Sequence, residues 1–335
     1  CTQNTAFMEE WRKGWHPERS HGKGASEHVL IVGAGPSGLE AALQAAKRGY
    51  RVTLAEASST LGGRVSKERA LPGLSAWGRV ADYRTGQLLP LANVQIYRES
   101  TLTAEDLLSL DAQHFAIATG ATWRRDAVAR LHLAPIPTDP ALPIFTPDDL
   151  MSGHLPQGKR VALYDDDHFY MGSVLAELLV AQGCTVDFIT PAVKVAEWAD
   201  NTLEQARIMR RLLEIGVTVH TSKAPEAIGA SEVTLGCTWT GATSTLPAEA
   251  LVYVTSRSPN DGLWHQAMAL DWQGAGIKTL QRIGDCAAPG PIAWATYAGR
   301  AWAEALDAPD DGLPGDVLPF RREIAELLPE QALTP

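Results

Sequence analysis

Two strand-helix-strand units, the first opened by glycines in G-x-G-x-x-G spacing and the second by a run of aspartates, predict an α/β fold, and an apolar strand late in the chain leads back toward the first unit. The expected architecture is two Rossmann-like, three-layer nucleotide-binding domains, one inserted into the other. At 335 residues, 45% hydrophobic and 20% charged, the chain is long enough for about two domains that each bury a core.

The first unit is "HVLIVGAGPSGLEAALQAAKRGYRVTLAE", residues 28 to 56. Val29 to Val32 is an apolar run suited to a buried parallel strand, a helix is predicted from about Pro36 to Arg48, and Val52 to Ala55 forms the next strand, ending at Glu56. The three glycines serve different ends. Gly33 permits the tight turn, Gly35 lets backbone approach a pyrophosphate, and Gly38 lets helix and strand pack closely. The helix N-terminus, with Pro36 and Ser37, faces the negative charge. Glu56, where an adenosine ribose would lie, and Ala57 beside it complete the set; a carboxylate there repels a 2'-phosphate, so FAD, NAD or ADP suits the site better than NADP. "LGGRV" at 61–65 adds Gly63 and Arg64, "HFAIATGA" at 114–121 ends a strand in Thr119 and Gly120, and "QRIGDCAAPGPIAWATYAGRAWAEAL" at 281–306 gives a strand ending in Gly284 and Asp285. In the last stretch the small residues Ala293, Ala295, Ala298 and Gly299 would let a helix approach closely. In this order the stretches are the plan of FAD/NAD-linked reductases. Expected boundaries are a linker over 1–27, a discontinuous FAD- or ADP-binding domain over 28–150 and 255–320, an NAD(P)-binding-like domain over 151–254, and a tail over 321–335.

Six prolines between about Ala134 and Gly158 mark the passage to the second unit, which reads "RVALYD" as strand, "SVLAELLVAQG" as helix and "TVDFIT" as strand. Its turn carries Asp165, Asp166 and Asp167 where glycines would sit, and Gly172 alone remains. A phosphate charge ~6 Å from one carboxylate, at an effective dielectric of ~20, meets about 3 kcal/mol of repulsion, roughly a hundredfold in affinity. Phe169, Tyr170 and Met171 add bulk. Either the three carboxylates block the site or they merely cap the helix and face water; on both readings NAD(P)H fits poorly.

A net charge of -10, a pI near 5.4 and the lack of a basic run argue against nucleic acid and anionic membranes as partners. No apolar run reaches the ~20 residues of a membrane span, and the cytoplasm is the default location. Cys1, Cys184, Cys237 and Cys286 are scattered without a CxxC, which disfavours a disulfide scaffold, a zinc knuckle and a dithiol reductase; the last three are expected to be buried thiols. The nine histidines form no catalytic set, and His16 is expected to hydrogen-bond structurally. Trp11, Trp15 and Trp77 are expected to pack near a cluster or between domains. Opening on Cys1 without an initiator Met, the chain is expected to be part of a longer protein.

"CTQNTAFMEEWRKGWHPE", "VLIVGAGPSGLEAA", "LGGRVSKERALPGLSAW" and "IGDCAAPGPIAWATYAGR" resemble the C-terminal half of the iron-sulfur flavoproteins that include trimethylamine, dimethylamine and histamine dehydrogenases, N-demethylases and 2,4-dienoyl-CoA reductase. The resemblance covers essentially the whole chain. It implies FMN and a methylated-amine site in a preceding barrel, and a 4Fe-4S cluster whose fourth ligand matches Cys1. It also implies FAD or ADP in the first domain, an electron-transferring flavoprotein as acceptor, and a homo-oligomer. Within the family the reductases keep the second set of glycines and the amine dehydrogenases have lost them, so Asp165 to Met171 point to an amine dehydrogenase. Two alternatives stand beside it: an NAD(P)H-dependent flavin reductase of the dienoyl-CoA reductase type, and a non-catalytic, nucleotide-stabilised docking module.

Overall fold

A computed structural model describes residues 1–8, 27–156 and 160–306, and it has the predicted α/β architecture. The chain enters β1 (His28–Val32), turns into α1 (Pro36–Lys47) and returns through β2 (Arg51–Ala55). After α2 (Arg64–Glu68) and α3 (Arg79–Leu88) come β3 (Val94–Tyr97), α4 (Ala104–Ser109) and β4 (His114–Ile117). A short β5 (Ala121–Trp123) leads out to β6 (Ile144–Phe145), α5 (Pro147–Met151), β7 (Arg160–Asp165), α6 (Met171–Ala181), β8 (Thr185–Ile189), α7 (Gln205–Glu214) and β9 (Thr218–His220). A meander follows, β10 (Lys223–Ile228), β11 (Glu232–Cys237) and β12 (Thr243–Pro247), before β13 (Ala250–Val254). The way back is β14 (Arg257–Pro259), α8 (Gly262–Met268), β15 (Thr279–Arg282) and α9 (Ile292–Ala305).

These strands make two parallel sheets of five, in the orders β15-β4-β1-β2-β3 and β6-β13-β7-β8-β9. Both faces of a parallel sheet must be covered, and the alternation along β1 shows how. Val29 and Ile31 join the core under α1 and α9, whereas Leu30 and Val32 join the opposite core with Leu107 and Ala267. In the second unit Val161 and Leu163 face α6, and Ala162 and Tyr164 face the meander residues Val233, Leu235 and Leu246. The two crossings between the sheets pair with each other, as antiparallel β5 and β14.

The sequence predicts one continuous strand over 249–261; Thr255 and Ser256 break it into β13 and β14, which belong to different sheets. Strand β6 pairs with β13, so the second sheet begins before the boundary expected at 151. Trp11, Trp15, His16, the rest of the 9–26 stretch and the tail after 306 lie outside the described residues. No helix of the described residues is long and apolar enough to cross a membrane.

Candidate functional site

At the C-terminal edge of the first sheet lies a cavity of about 520 Å³, the position where open parallel sheets bind ligands. Eleven of the thirteen expected nucleotide-site residues line it: Gly33, Gly35, Pro36, Ser37, Glu56, Ala57, Gly63, Arg64, Thr119, Gly120 and Asp285. Gly38 and Gly284 stand behind its wall. A Cβ on Gly38 would meet the Gly33 carbonyl oxygen at 1.9 Å, and one on Gly284 would meet Ser37 Cβ at 2.6 Å. Gly33 adopts φ +102, and a Cβ there would meet the Ala118 carbonyl oxygen at 2.4 Å.

Gly35 differs from these: a Cβ there meets nothing within 4 Å, so the glycine borders open space at the N-cap of α1. The first turn of a helix leaves its amides without intrahelical partners and carries a partial positive charge, which makes this mouth suited to a diphosphate. Ser37 Oγ is buried beside it without a hydrogen-bond partner. Glu56 Oε2 accepts from the Ala34 amide at 2.7 Å, and Oε1 accepts from the Ser58 amide at 2.9 Å and its hydroxyl at 2.8 Å. The carboxylate is thereby oriented while lone pairs remain free to accept from a hydroxyl in the cavity.

The opposite end of the cavity is charged and tightly bonded. Asp285 Oδ2 accepts from Arg64 Nη2 at 3.0 Å and from Arg257 Nη1, while Oδ1 accepts from the Gly290 amide at 3.0 Å. Arg64 also reaches Glu68 at 2.9 Å, and the second unit's Tyr170 hydroxyl comes to 3.4 Å from that carboxylate. Burial alone would lower Arg64, but the Glu68 and Asp285 charges hold it raised; burial and the Arg64 charge lower Arg257. Trp77 meets Tyr170 edge-on with ring centroids 4.2 Å apart, between the units as expected.

Sequence reasoning missed Ser58, Thr60, Ser100 and Thr101, which line the cavity after β2 and β3, and Asn260 on the far wall. The polar runs "SST" and "ST" lie past the C-terminal ends of adjacent parallel strands, and the edge rule for parallel sheets would have found them.

The second turn is built differently. Residues 166–170 separate β7 from α6, two more than the 33–35 that separate β1 from α1. Asp165 and Asp166 do not face water: they are 0% and 1% exposed. Asp165 Oδ1 accepts from the amides of Asp167 at 3.1 Å and His168 at 3.2 Å, so the carboxylate occupies donors that a phosphate would otherwise use. Gly172 persists for that carboxylate, since a Cβ there would meet Asp165 Cγ at 2.8 Å. Burial, with the Asp167 charge, pushes Asp165 up to about 7. Asp166 accepts from the Leu131 amide at 2.9 Å and pairs with His168 Nε2 at 3.0 Å. Burial would lower His168, and the Asp166 hydrogen bond with the Asp165 charge raises it instead. Both readings made from the sequence, a charged face toward a phosphate and a solvated cap, give way to an inward-folded acidic knot.

Cys1 lies apart from the cavity, exposed, with its sulfur 3.5 Å from the Asn4 amide that donates to it. Cys286 is buried as expected, but Cys184 and Cys237 are half-buried. The Thr240 hydroxyl and neighbouring amides lower the Cys237 thiol to about 7. Among the described residues no group of three or more His, Cys, Asp or Glu side chains is placed to hold a metal ion.

A glycine cradle with an acidic side chain at the end of β2 in one unit, joined by a two-stranded ribbon to a second unit of like topology, defines a protein of the two-nucleotide-domain class. Residues 28–126 match the FAD dependent oxidoreductase family and residues 145–244 the OYE-like second alpha/beta domain family. Dimethylamine dehydrogenase of Hyphomicrobium sp. (strain x) is 34% identical over 96% of this chain and 47% of its own length. Histamine dehydrogenase of Rhizobium sp. 4-9 superposes with a TM-score of 0.92 at 53% identity, over 98% of this chain and 50% of that one. The 6-hydroxypseudooxynicotine amine oxidase of Pseudomonas geniculata N1 gives 0.89 at 41%, over 92% and 46%. The chain belongs to the dimethylamine and histamine dehydrogenase family of flavoproteins and corresponds to its C-terminal half; it spans about half the length of these relatives.

Proposed function

We propose that this chain is the nucleotide-binding part of an iron-sulfur flavoprotein that oxidises a small amine, with an adenine nucleotide in the first unit and no pyridine nucleotide in the second. The contrast between the two turns supports this most: one presents an open N-terminal mouth at Gly35, the other fills its donors with its own Asp165 carboxylate. Such a chain suits an enzyme whose electrons leave to a protein acceptor instead of arriving from NAD(P)H. It therefore favours the dehydrogenase reading over the dienoyl-CoA reductase type.

FMN in a barrel outside this chain, and a 4Fe-4S cluster with Cys1 as one ligand, would supply amine oxidation and electron relay to an electron-transferring flavoprotein. Cys1 fits that role in being exposed and in accepting an amide hydrogen bond at sulfur, and the other ligands would come from outside the chain. For the nucleotide, Gly33, Gly35, Pro36, Ser37, Gly38, Thr119 and Gly120 would shape the pyrophosphate path, and Glu56 with Ala57 the ribose end. FAD and ADP both suit the cavity: Asp285 accepts from Arg64, Arg257 and the Gly290 amide and keeps acceptor capacity at Oδ1 for a ribityl or pyrophosphate group. Methylated amines lead the substrate class through the sequence resemblance, and the 53% identity to a histamine dehydrogenase adds arylalkylamines. The whole protein is proposed to be a cytoplasmic homo-oligomer.

The test is anaerobic mixing of the full-length protein with di- and trimethylamine, histamine, NADH and NADPH, following flavin absorbance. Bleaching by an amine alone is expected. Rapid bleaching by NADH or NADPH would overturn the proposal.

A further inference from the structure

We infer that the buried pair Arg84–Glu40 is a positioning device that fixes the segment carrying Cys1, an inference that rests on reading Cys1 as a cluster ligand. Arg84 on α3 is 0% exposed and Glu40 on α1 is 2% exposed, with Nε donating to Oε2 at 2.6 Å. The rest of the guanidinium reaches mainly into residues 2 and 3. Nη2 donates to the Thr2 carbonyl at 3.1 Å and lies 3.5 Å from that of Gln3, and Nη1 donates to the Val80 carbonyl at 2.9 Å and to Gln3 Oε1 at 3.4 Å. Glu40 Oε1 accepts from Thr5 Oγ1 at 3.0 Å and Gln44 Nε2 at 2.8 Å. Residues 2, 3 and 5 are thus tied to one ion pair that itself spans two helices.

A buried ion pair is a poor way to gain stability, because desolvation offsets most of its attraction and an apolar pair of similar volume often does as well. What an apolar pair cannot do is fix the backbone of an irregular segment by its carbonyls. The planar fork of Arg84 does so by holding the Thr2 carbonyl, one residue from Cys1. Consecutive Cα atoms are ~3.8 Å apart, so a fixed Thr2 leaves Cys1 little travel. The turn completes the aim: Ala6, 0% exposed, donates its amide to Asn4 Oδ1 at 3.0 Å, and Asn4 donates its own to the Cys1 sulfur at 3.5 Å. The residues that follow the cysteine are anchored while the sulfur faces outward.

In the full-length protein, Arg84→Lys retains the charge opposite Glu40 but loses the fork to residues 2 and 3. The readouts are iron content, the rate of iron loss to a chelator, and the electron paramagnetic resonance spectrum and midpoint potential of the reduced cluster. FMN reduction by amine serves as the control for intact folding. Arg84→Lys is expected to release iron about tenfold faster or more, the factor for one lost charge-assisted hydrogen bond, and to shift the resonance spectrum. Thr5→Val, a milder change on the segment side, should move both readouts the same way by less and covers the case in which Arg84→Lys fails to fold. Wild-type iron retention and spectrum in the folded variants would overturn the positioning role. Cys1→Ala, which leaves no ligating atom, separates the underlying reading: full iron content there would remove Cys1 as a ligand, whereas iron loss there with unaltered Arg84→Lys and Thr5→Val would sink the positioning role alone.

Discussion

Gly35→Val separates binding from folding more cleanly than any other change in the cradle. Gly35 has φ -71 and ψ -178, extended geometry open to any L residue, and an added Cβ meets no protein atom within 4 Å. The variant should therefore fold in the absence of ligand, at a cost of about 1 kcal/mol for the poorer N-cap. Its isopropyl group projects into the mouth of α1, where a pyrophosphate must approach backbone. Displacing the diphosphate from two amide donors removes roughly 1.5–3 kcal/mol for each charge-assisted bond, about 3–6 kcal/mol together. That is on the order of 10²–10⁴ in Kd. The assay is titration calorimetry with ADP on nucleotide-stripped protein, beside chromatography of the nucleotide released by heat from protein as purified. Correctly folded Gly35→Val protein that retained nucleotide with wild-type affinity would refute the assignment of the cradle.

Gly38→Ala should do the reverse, destabilising the fold by about 3 kcal/mol whether or not nucleotide is present, because its Cβ would meet the Gly33 backbone at 1.9 Å; a denaturant midpoint unchanged from wild type would contradict this. Asp165, pushed up to about 7 in the fold from an ordinary 3.8, keeps a proton that the unfolded chain gives up, so its contribution to stability is complete below about pH 4 and is lost as pH rises through about 7. Asp165→Asn should flatten that fall, seen as a wild-type-minus-variant difference in Tm across pH 4 to 8; a difference that grew in the opposite direction would show that burial does not govern this carboxylate. Calorimetry of the chain with NADH and NADPH should give no heat assignable to the second unit, and sub-millimolar binding there would mean that the Asp165 knot opens.

Much of the first unit was legible because its information is local. Strand, glycines, helix and Glu56 lie within 29 residues, and the turn they specify needs no distant partner. The second turn was legible as different but not as buried. The partners that admit Asp166 to the interior are the Leu131 amide, 35 residues away, and His168, whose φ of +65 no pattern predicts. The meander β10–β12 went unseen because "KAPEAI", "EVTLGC" and "TSTLP" mix Pro, Gly, Lys and Ser into strands that have no clean alternation. Strands β5 and β14 are three residues each and exist only because the chain crosses twice at one place. Arg84 and Glu40, 44 residues apart, look on the sequence like two ordinary charged helix positions, and only packing reveals that they meet at the start of the chain.

The central claim is one adenine nucleotide in the first unit and none in the second, and it is tested most directly by denaturing the purified chain and quantifying what it releases. About one equivalent of ADP or FAD per chain, with no pyridine nucleotide, is the predicted result. No adenine nucleotide even after soaking with ADP and FAD, or a stoichiometric pyridine nucleotide, would contradict it.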